Sequence, residues 1–415
     1  MLQNYFKIAF RSLWRSKVHA TINILGLGLG IACCLLIVLF VRDEWTFDKF
    51  HSHARQIYRA YVKEDYGENE KFFNTVTPFP LGPVLDDNFE EIIHQVRINN
   101  IGPLVRVGNE QYTENVTIGG QDFFEVFDFD VTNGEEHNLL HSLDDLVITA
   151  ATAKKYFGDD NPVGKVISMQ LGENFEDFVV KAVVQDPPIN SSIQFALLIS
   201  DLNYPRLYNE RVLTSGWFNI NPETYVMLSE GTDVTALHEK FPALFKSVLG
   251  EDRFKESNYY VGLQPLTDIH LNTDFPVGNA PVSNPRYSYI LAAIALLILF
   301  VACINFVTLS VGRSLRRARE VGIRKAVGAV RQQLITQFIG EALLVTCISL
   351  TLGVLLAIVS LPLFNDLSGK ALSLKPDSFM LTIGLALVLI IGVFAGSYPA
   401  LVLSGFRPIA VLKGK

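Results

Sequence analysis

The chain has 415 residues, of which 49% are hydrophobic, and a mean hydropathy of +0.27, which is high for a wholly soluble protein and suits membrane spans plus a sizeable soluble domain. The net charge of −7 conceals a split: residues 42–286 hold 19 Lys or Arg against 38 Asp or Glu, and the remainder holds 16 against 4. That split implies two environments, and the acidic one argues against nucleic acid as a partner because phosphates would be repelled.

Residues 1–20 carry Lys7, Arg11, Arg15 and Lys17 and no acid, with Phe6, Phe10, Leu13 and Trp14 supplying an apolar side. This predicts an amphipathic helix lying on the cytosolic leaflet, in contact with membrane lipids. The apolar run from Thr21 to Val41 is 21 residues, too long for an ordinary signal-peptide core, and charged residues follow it where a cleavage site would need small ones. Residues 21–42 therefore read as transmembrane helix 1. Gly26 and Gly30 form a small-xxx-small pair, with Gly28 between them. Helix pairing through Gly26 and Gly30 and mere tolerance of glycine in a span both remain open.

Residues 43–286 mix strand and helix signals. The run from Phe178 to Val184 reads as a strand closed by Asp186-Pro187-Pro188, and Thr224–Leu228 reads as a second strand. Thr152–Phe157 reads as a short helix ended by Gly158. The expected fold is an α+β domain, and its stretch richer in Pro, Asn and Gly, from Pro265 to Pro285, reconnects it to the second span. Three further apolar runs follow, at 287–312, 332–364 and 378–406, with a short outer loop at 365–377 and a tail at 407–415. Four spans put both termini on one side. The basic N-terminus, the basic loop 313–331 and the basic tail then face the cytoplasm, and the acidic domain faces outward.

Residues 313–331 hold seven Lys or Arg and one acid, Glu320. On a helix Arg313, Arg317, Glu320 and Arg324 share one face, and Leu315, Ala318, Gly322 and Ala326 share the opposite one. Glu320 precedes Arg324 by four residues, the favourable order for an ion pair. Gly328 suits a helix end. A basic loop that only fixes orientation need not be two-faced, so the expectation is a short docking helix for a cytosolic partner.

Catalytic signatures are scarce. All four cysteines, Cys33, Cys34, Cys303 and Cys347, lie in apolar stretches, which leaves the acidic domain without a disulfide framework or a cysteine zinc site. The chain contains no GxxxxGK[ST] phosphate loop, no GxSxG elbow and no HExxH helix. His51 and His53 are two residues apart, point apart on a helix, and read as structural or surface residues. Asn305 and Glu341 are polar groups within spans; Glu341, ten residues past Arg331, reads as an interfacial anchor in preference to a proton relay.

Several stretches resemble one family. AREVGIRKAVGAVRQQLITQFIGEALL (318–344) is similar to the signature of FtsX-like, or MacB-like, permeases of ABC transporters. FDKFHSHARQIYRAY (47–61), TPFPLGPVLDDNF (77–89), DFFEVFDFD (122–130), ATAKKYFGDDNPVGK (151–165), LQPLTDIHL (263–271) and GSYPALVLSGFRPIAVLKGK (396–415) resemble the same family, so the resemblance covers nearly the whole chain. It implies a non-catalytic permease subunit of the bacterial inner membrane, with its large domain in the periplasm. It assigns ATPase coupling to Arg319, Glu320, Val321, Gly322, Ile323, Arg324, Lys325, Ala326, Gly328 and Ala329. No cofactor is bound directly, because ATP is used by a separate cytosolic ABC ATPase. Further implied partners are a second copy or second permease half and a periplasmic adaptor or other envelope protein. Many relatives carry a second similar half after an LKGK ending, so the chain is either a one-half permease or the first half of a longer one. The alternative is an FtsX-like regulatory scaffold that activates a cell-wall hydrolase without transport.

Overall fold

The computed structural model describes residues 17–67, 70–108, 110–326 and 330–405. The chain divides into two compact units, one formed by residues 1–43 and 286–415, the other by Glu44–Pro285.

The first unit contains four long helices among its described residues: Lys17–Trp45, Pro285–Ala326, Arg331–Ser368 and Ser378–Gly405. The first three are long and apolar enough to cross a membrane, and the fourth is apolar over Ser378–Phe394. Their shared core includes Leu27 and Ile31 from the first helix, Ala295 and Phe306 from the second, Val345 and Ala357 from the third, and Leu387 and Ile391 from the fourth. The second helix buries least of its apolar window, 11%, against 56% for the first. Gly369, at φ 65, ends the third helix in the left-handed conformation that glycine tolerates.

The second unit is α+β, as its mixed signals predict. Its strands are β1 (Ile57–Asp65), β2 (Lys71–Asn74), β3 (Ile92–Ile101), β4 (Leu104–Val107), β5 (Glu110–Thr113), β6 (Val116–Gly119), β7 (Val131–Gly134), β8 (Asp145–Thr149), β9 (Val166–Leu171), β10 (Asn174–Val184), β11 (Leu197–Ser200), β12 (Glu223–Leu228) and β13 (Tyr260–Pro265). They form one sheet in the order β13-β1-β12-β3-β6-β11-β8-β10-β9-β4-β5, with β2 beside β1 and β7 beside β10. The strand expected over 178–184 is the inner part of β10, and the helix expected over 152–157 spans Ala150–Phe157, closed by Gly158 at φ 62.

Strand β3 joins two halves of this sheet. Its first residues pair antiparallel with β12, and Asn99–Ile101 pair antiparallel with β6. On the β12 side every pairing is antiparallel, and one face is covered by Leu81–Asn88 and Val234–Leu249 through Leu85, Phe241 and Phe245. On the β6 side two pairings are parallel, β6 with β11 and β8 with β10. Beneath both halves lies an aromatic core of Phe123, Phe127, Phe129, Phe195 and Tyr225. The DFFEVFDFD block thus supplies three core phenylalanines.

Candidate functional site

The basic segment is not a separate short helix. Residues 313–326 continue the second long helix, which runs unbroken for 42 residues from Pro285 to Ala326. At about 1.5 Å per residue that rod is roughly 63 Å long, twice the ~30 Å of a bilayer core. The expectation of a short helix over this segment is corrected accordingly: these residues are the end of the second long helix. Its physical reason is that Arg, Ala, Glu and Lys are good helix formers, so a change in polarity need not interrupt the backbone. Arg319, Glu320, Val321, Gly322, Ile323, Arg324, Lys325 and Ala326 occupy the last turns of the rod, while Gly328 and Ala329 lie outside the described residues. The third helix starts at Arg331, where Val330 N–H donates to Gln333 Oε1 at 3.3 Å. Further along, Gln337 donates to Glu341 Oε1 at 3.1 Å, one turn away on the same helix.

Gly26 and Gly30 face the second helix of the same chain. A Cβ at Gly26 would meet Asn305 Nδ2 at 3.3 Å, and one at Gly30 would meet Ala302 Cβ at 3.0 Å. Gly28 turns to the third helix, where its Cβ would lie 3.0 Å from Leu352 Cδ2. The third helix answers with Gly353, whose Cβ would lie 2.9 Å from the Gly28 carbonyl. Small residues therefore let helices of one chain approach, as in close-packed membrane helices generally.

At the other end of the first helix, two ion pairs hold the loop between the third and fourth helices. Arg42 Nη1 reaches Asp377 Oδ2 at 2.6 Å, and Lys370 Nζ reaches Asp43 Oδ2 at 2.8 Å. Asp377 also accepts from Met380 N–H at 2.8 Å at the start of the fourth helix.

The next residues belong to the outer domain; sequence reasoning read His51 as a structural or surface residue and did not join it to Glu44, Asp48 and His270. Asp48 is fully buried at φ 57, a left-handed position rare for non-glycine residues. Its carboxylate accepts from Ser192 N–H and Ser192 Oγ, each at 2.6 Å. Burial pushes its pKa up to about 6, against the pull of those bonds and of His270. Glu44 and His270 are also buried, with Oε1 and Nε2 3.4 Å apart. His51 is buried beside the rings of Phe50, Phe127 and Phe129, and its Nδ1 accepts from Asp128 N–H at 3.0 Å. Burial lowers its pKa to about 4, because the charged ring is poorly solvated there; the Asp128 carboxylate opposes this only in part. His53, by contrast, is exposed.

These residues come from blocks that carry the family resemblance: FDKFHSH at 47–53, DFFEVFDFD at 122–130 and LTDIHL at 266–271. The signal that could have found the site was the clustering of Asp, His and Phe in blocks 70 and more residues apart. No local periodicity joins them.

A cleft of about 530 Å³ opens elsewhere in the domain, lined among others by Gln95, Arg97, Asp122, Asp201, Tyr204 and Thr214. Arg97 pairs with Asp201 at 2.7 Å and lies 5.3 Å over the Tyr204 ring, and Asp122 pairs with His94 at 3.1 Å. These pairs brace the walls of the cleft.

A family model described as the MacB-like periplasmic core domain matches residues 20–244, and one described as the FtsX-like permease C-terminal matches residues 292–408. The chain is 22% identical over 427 residues to the macrolide export ATP-binding/permease protein MacB of Acinetobacter baylyi, covering 99% of this chain and 59% of that one. It is 23% identical over 374 residues to the pyoverdine export ATP-binding/permease protein PvdT of Pseudomonas aeruginosa, covering 85% and 50%. The chain thus spans between half and three fifths of the length of these relatives. The solved periplasmic region of MacB from Actinobacillus actinomycetemcomitans aligns at a TM-score of 0.34 and 17% identity, over 50% of this chain and 88% of that one.

Proposed function

Because the chain belongs to the MacB-like, FtsX-like permease family, we propose that it is the membrane subunit of a MacB-like ABC transporter. The observation that carries this reading is the pairing, in one chain and in this order, of a periplasmic core domain with an FtsX-like permease segment. All four long helices cross the inner membrane, and the domain at 44–285 stands in the periplasm. The acidic balance of that domain and the basic segments on the opposite side of the spans support this orientation.

ATP binding and hydrolysis reside outside these 415 residues, which contain no phosphate loop. The basic end of the second helix, Arg319 to Ala326 with Gly328 and Ala329, seats on the ATPase, and two permease copies or halves pair. Closure of the ATPase pushes a continuous rod whose other end leads into the outer domain, so no hinge between span and docking segment absorbs the stroke. Export of a substrate from the cell envelope is proposed over a regulatory scaffold because the named relatives are export proteins.

The test is the full chain in lipid with its cognate ATPase. By helical spacing Gly322 shares a face with Leu315, Ala318 and Ala326, so Gly322→Trp places bulk where a partner must approach. It is expected to abolish co-purification of the ATPase and ATP-driven function while the protein still inserts. Arg324→Ala removes one charge from the segment and is expected to weaken binding by about 1 kcal/mol or less. If Gly322→Trp inserts normally, holds the ATPase and works at full rate, the reading fails. Impermeant thiol labelling provides a second check. Single cysteines on the surface of 44–285 are expected to label in spheroplasts, and cysteines in 313–331 are not.

A further inference from the structure

Residues 42–48 are a short run fastened at both ends. Within the membrane unit, Arg42 and Asp43 hold Asp377 and Lys370. Within the outer domain, Glu44, Phe47 and Asp48 are all buried, and Asp48 N–H donates to Asn190 O at 2.9 Å. The Phe47 ring stacks on the His270 ring with centroids 3.6 Å apart and planes within 3° of parallel. The same imidazole places Nε2 3.4 Å from Glu44.

His270 also holds the chain on its way back to the second long helix. Its Nδ1 lies 2.8 Å from the carbonyl oxygen of Pro281, which can only accept, so Nδ1 carries the hydrogen and donates. Its own carbonyl accepts from Ser283 N–H at 2.7 Å. One residue thus touches the outgoing segment through its ring face and Nε2, and the returning segment through Nδ1 and its backbone. The left-handed backbone at Asp48 is a further sign that this stretch is held in place by its surroundings, here by Ser192 and Asn190.

We infer that Phe47 and His270 are positioning residues that fasten the outgoing segment 44–48 to the returning segment 270–283, making them one lever through which movement of the first two long helices enters the outer domain. This rests on the transmission reading given above. Two unfastened connections would each absorb displacement by bending. Fastened, they displace β1 and β13 together, and those strands are already paired from Tyr58–Pro265 to Lys63–Tyr260.

Hydrogen exchange on the full chain in lipid nanodiscs tests the fastening without any ATPase. The amides of Asp48 and Ser283 report the outgoing and returning segments. In the wild type they are expected to exchange at rates within about three-fold of each other, because they open together. His270→Ala is expected to speed both by at least ten-fold and to separate their rates, while the amides of β8 stay unchanged. His270→Phe keeps a ring against Phe47 and loses the donor to Pro281, so it is expected to free Ser283 more than Asp48. Rates more than ten-fold apart in the wild type would overturn the inference. So would a His270→Ala variant that speeds β8 by the same factor, since that would mark His270 as merely stabilising the whole domain.

Adding the cognate ATPase and ATP separates this inference from the reading beneath it. The wild type is then expected to show an ATP-dependent change in outer-domain exchange, and His270→Ala is expected to hydrolyse ATP without it. If ATP changes nothing in the wild-type outer domain, the transmission reading fails even where the fastening holds. If His270→Ala keeps the ATP-dependent change, the lever fails and the transmission reading stands.

Discussion

Two ways of joining segments can be compared: glycine crossings between helices of the membrane unit, where a side chain is missing, and buried pairs in the sheet of the outer domain, where a charged side chain is present. A Cβ at Gly353 would lie 2.8 Å from Ile31 Cγ2, and one at Gly396 would lie 2.8 Å from Ala342 Cβ. No room is left for bulk at those crossings. In the outer domain, Arg59 is fully buried and holds Glu223 at 3.1 Å and Gln264 at 2.7 Å, which ties β1 to β12 and β13. The solvent explains the contrast. Lipid tails are as apolar as the helices, so only close packing distinguishes helix from lipid there. The outer domain folds in water, and its buried polar groups must find each other or unfold the sheet. Gain of atoms at these glycine crossings should therefore damage the first unit, and loss of atoms at this buried pair the second.

The largest expected effect is on Glu223. Besides Arg59, it accepts from Tyr225 Oη at 3.0 Å and from Asn279 N–H at 3.0 Å. Glu223→Ala leaves a buried guanidinium without its counter-charge and is expected to destabilise the outer domain by about 3–5 kcal/mol. Replacing both partners, Arg59→Met with Glu223→Leu, is expected to recover much of that loss, because no orphaned charge remains. Chemical denaturation of the full chain in detergent, followed through the fluorescence of buried Trp217, measures both. A single variant as stable as the wild type would break the comparison.

How far the site was legible in the sequence depends on range. The long helices, the charge split and the inner part of β10 are local patterns with a period, and residue spacing alone revealed them. Glu44 looked like the polar edge of a span, yet it is buried by His270, 226 positions later in the chain. His51 and His53 looked alike, but one is enclosed by phenylalanines and the other is exposed. The unbroken second helix was hidden for the opposite reason. A drop in hydropathy after Gly312 marks an expected change of surroundings and says nothing about the backbone.

The second effect concerns pH and is confined to the outer domain. Asp48 has its folded pKa raised from 3.8 to about 6, so its neutral form suits the fold. Its contribution is present below about pH 4 and is lost as pH rises to about 6, by about 3 kcal/mol. His51 has its folded pKa lowered from 6.5 to about 4, so its neutral form also suits the fold. Its contribution is present above about pH 6.5 and is lost as pH falls toward 4, again by about 3 kcal/mol. The two oppose each other across pH 4–6. Asp48→Asn should unmask a loss of stability on acidification, and His51→Gln a gain. Melting curves at half-unit pH steps check the signs; two variants with the same slope as the wild type would contradict both assignments.

The smallest effect is the sharpest for the membrane unit, because it adds a single methyl group. At Gly353 that carbon would sit 2.9 Å from the Gly28 carbonyl oxygen, which is backbone and cannot rotate away. The first and third helices would have to separate by a few tenths of an ångström, loosening the packing of Ile31 and Leu352 across the crossing. Gly353→Ala is expected to destabilise the unit by about 1–3 kcal/mol. Gly340, on the same helix, has nothing within 4 Å of its Cβ position. Gly340→Ala is expected to be neutral or mildly stabilising, since alanine is the better helix former by about 1 kcal/mol. Both variants lie on one helix and make the same chemical change, so propensity cancels between them and only the crossing differs. Unfolding of the full chain in mixed micelles of increasing sodium dodecyl sulfate fraction reads the difference. If Gly353→Ala unfolds no earlier than Gly340→Ala, the close approach at Gly28 does not hold these helices together, and the contrast between the two units fails on its membrane side.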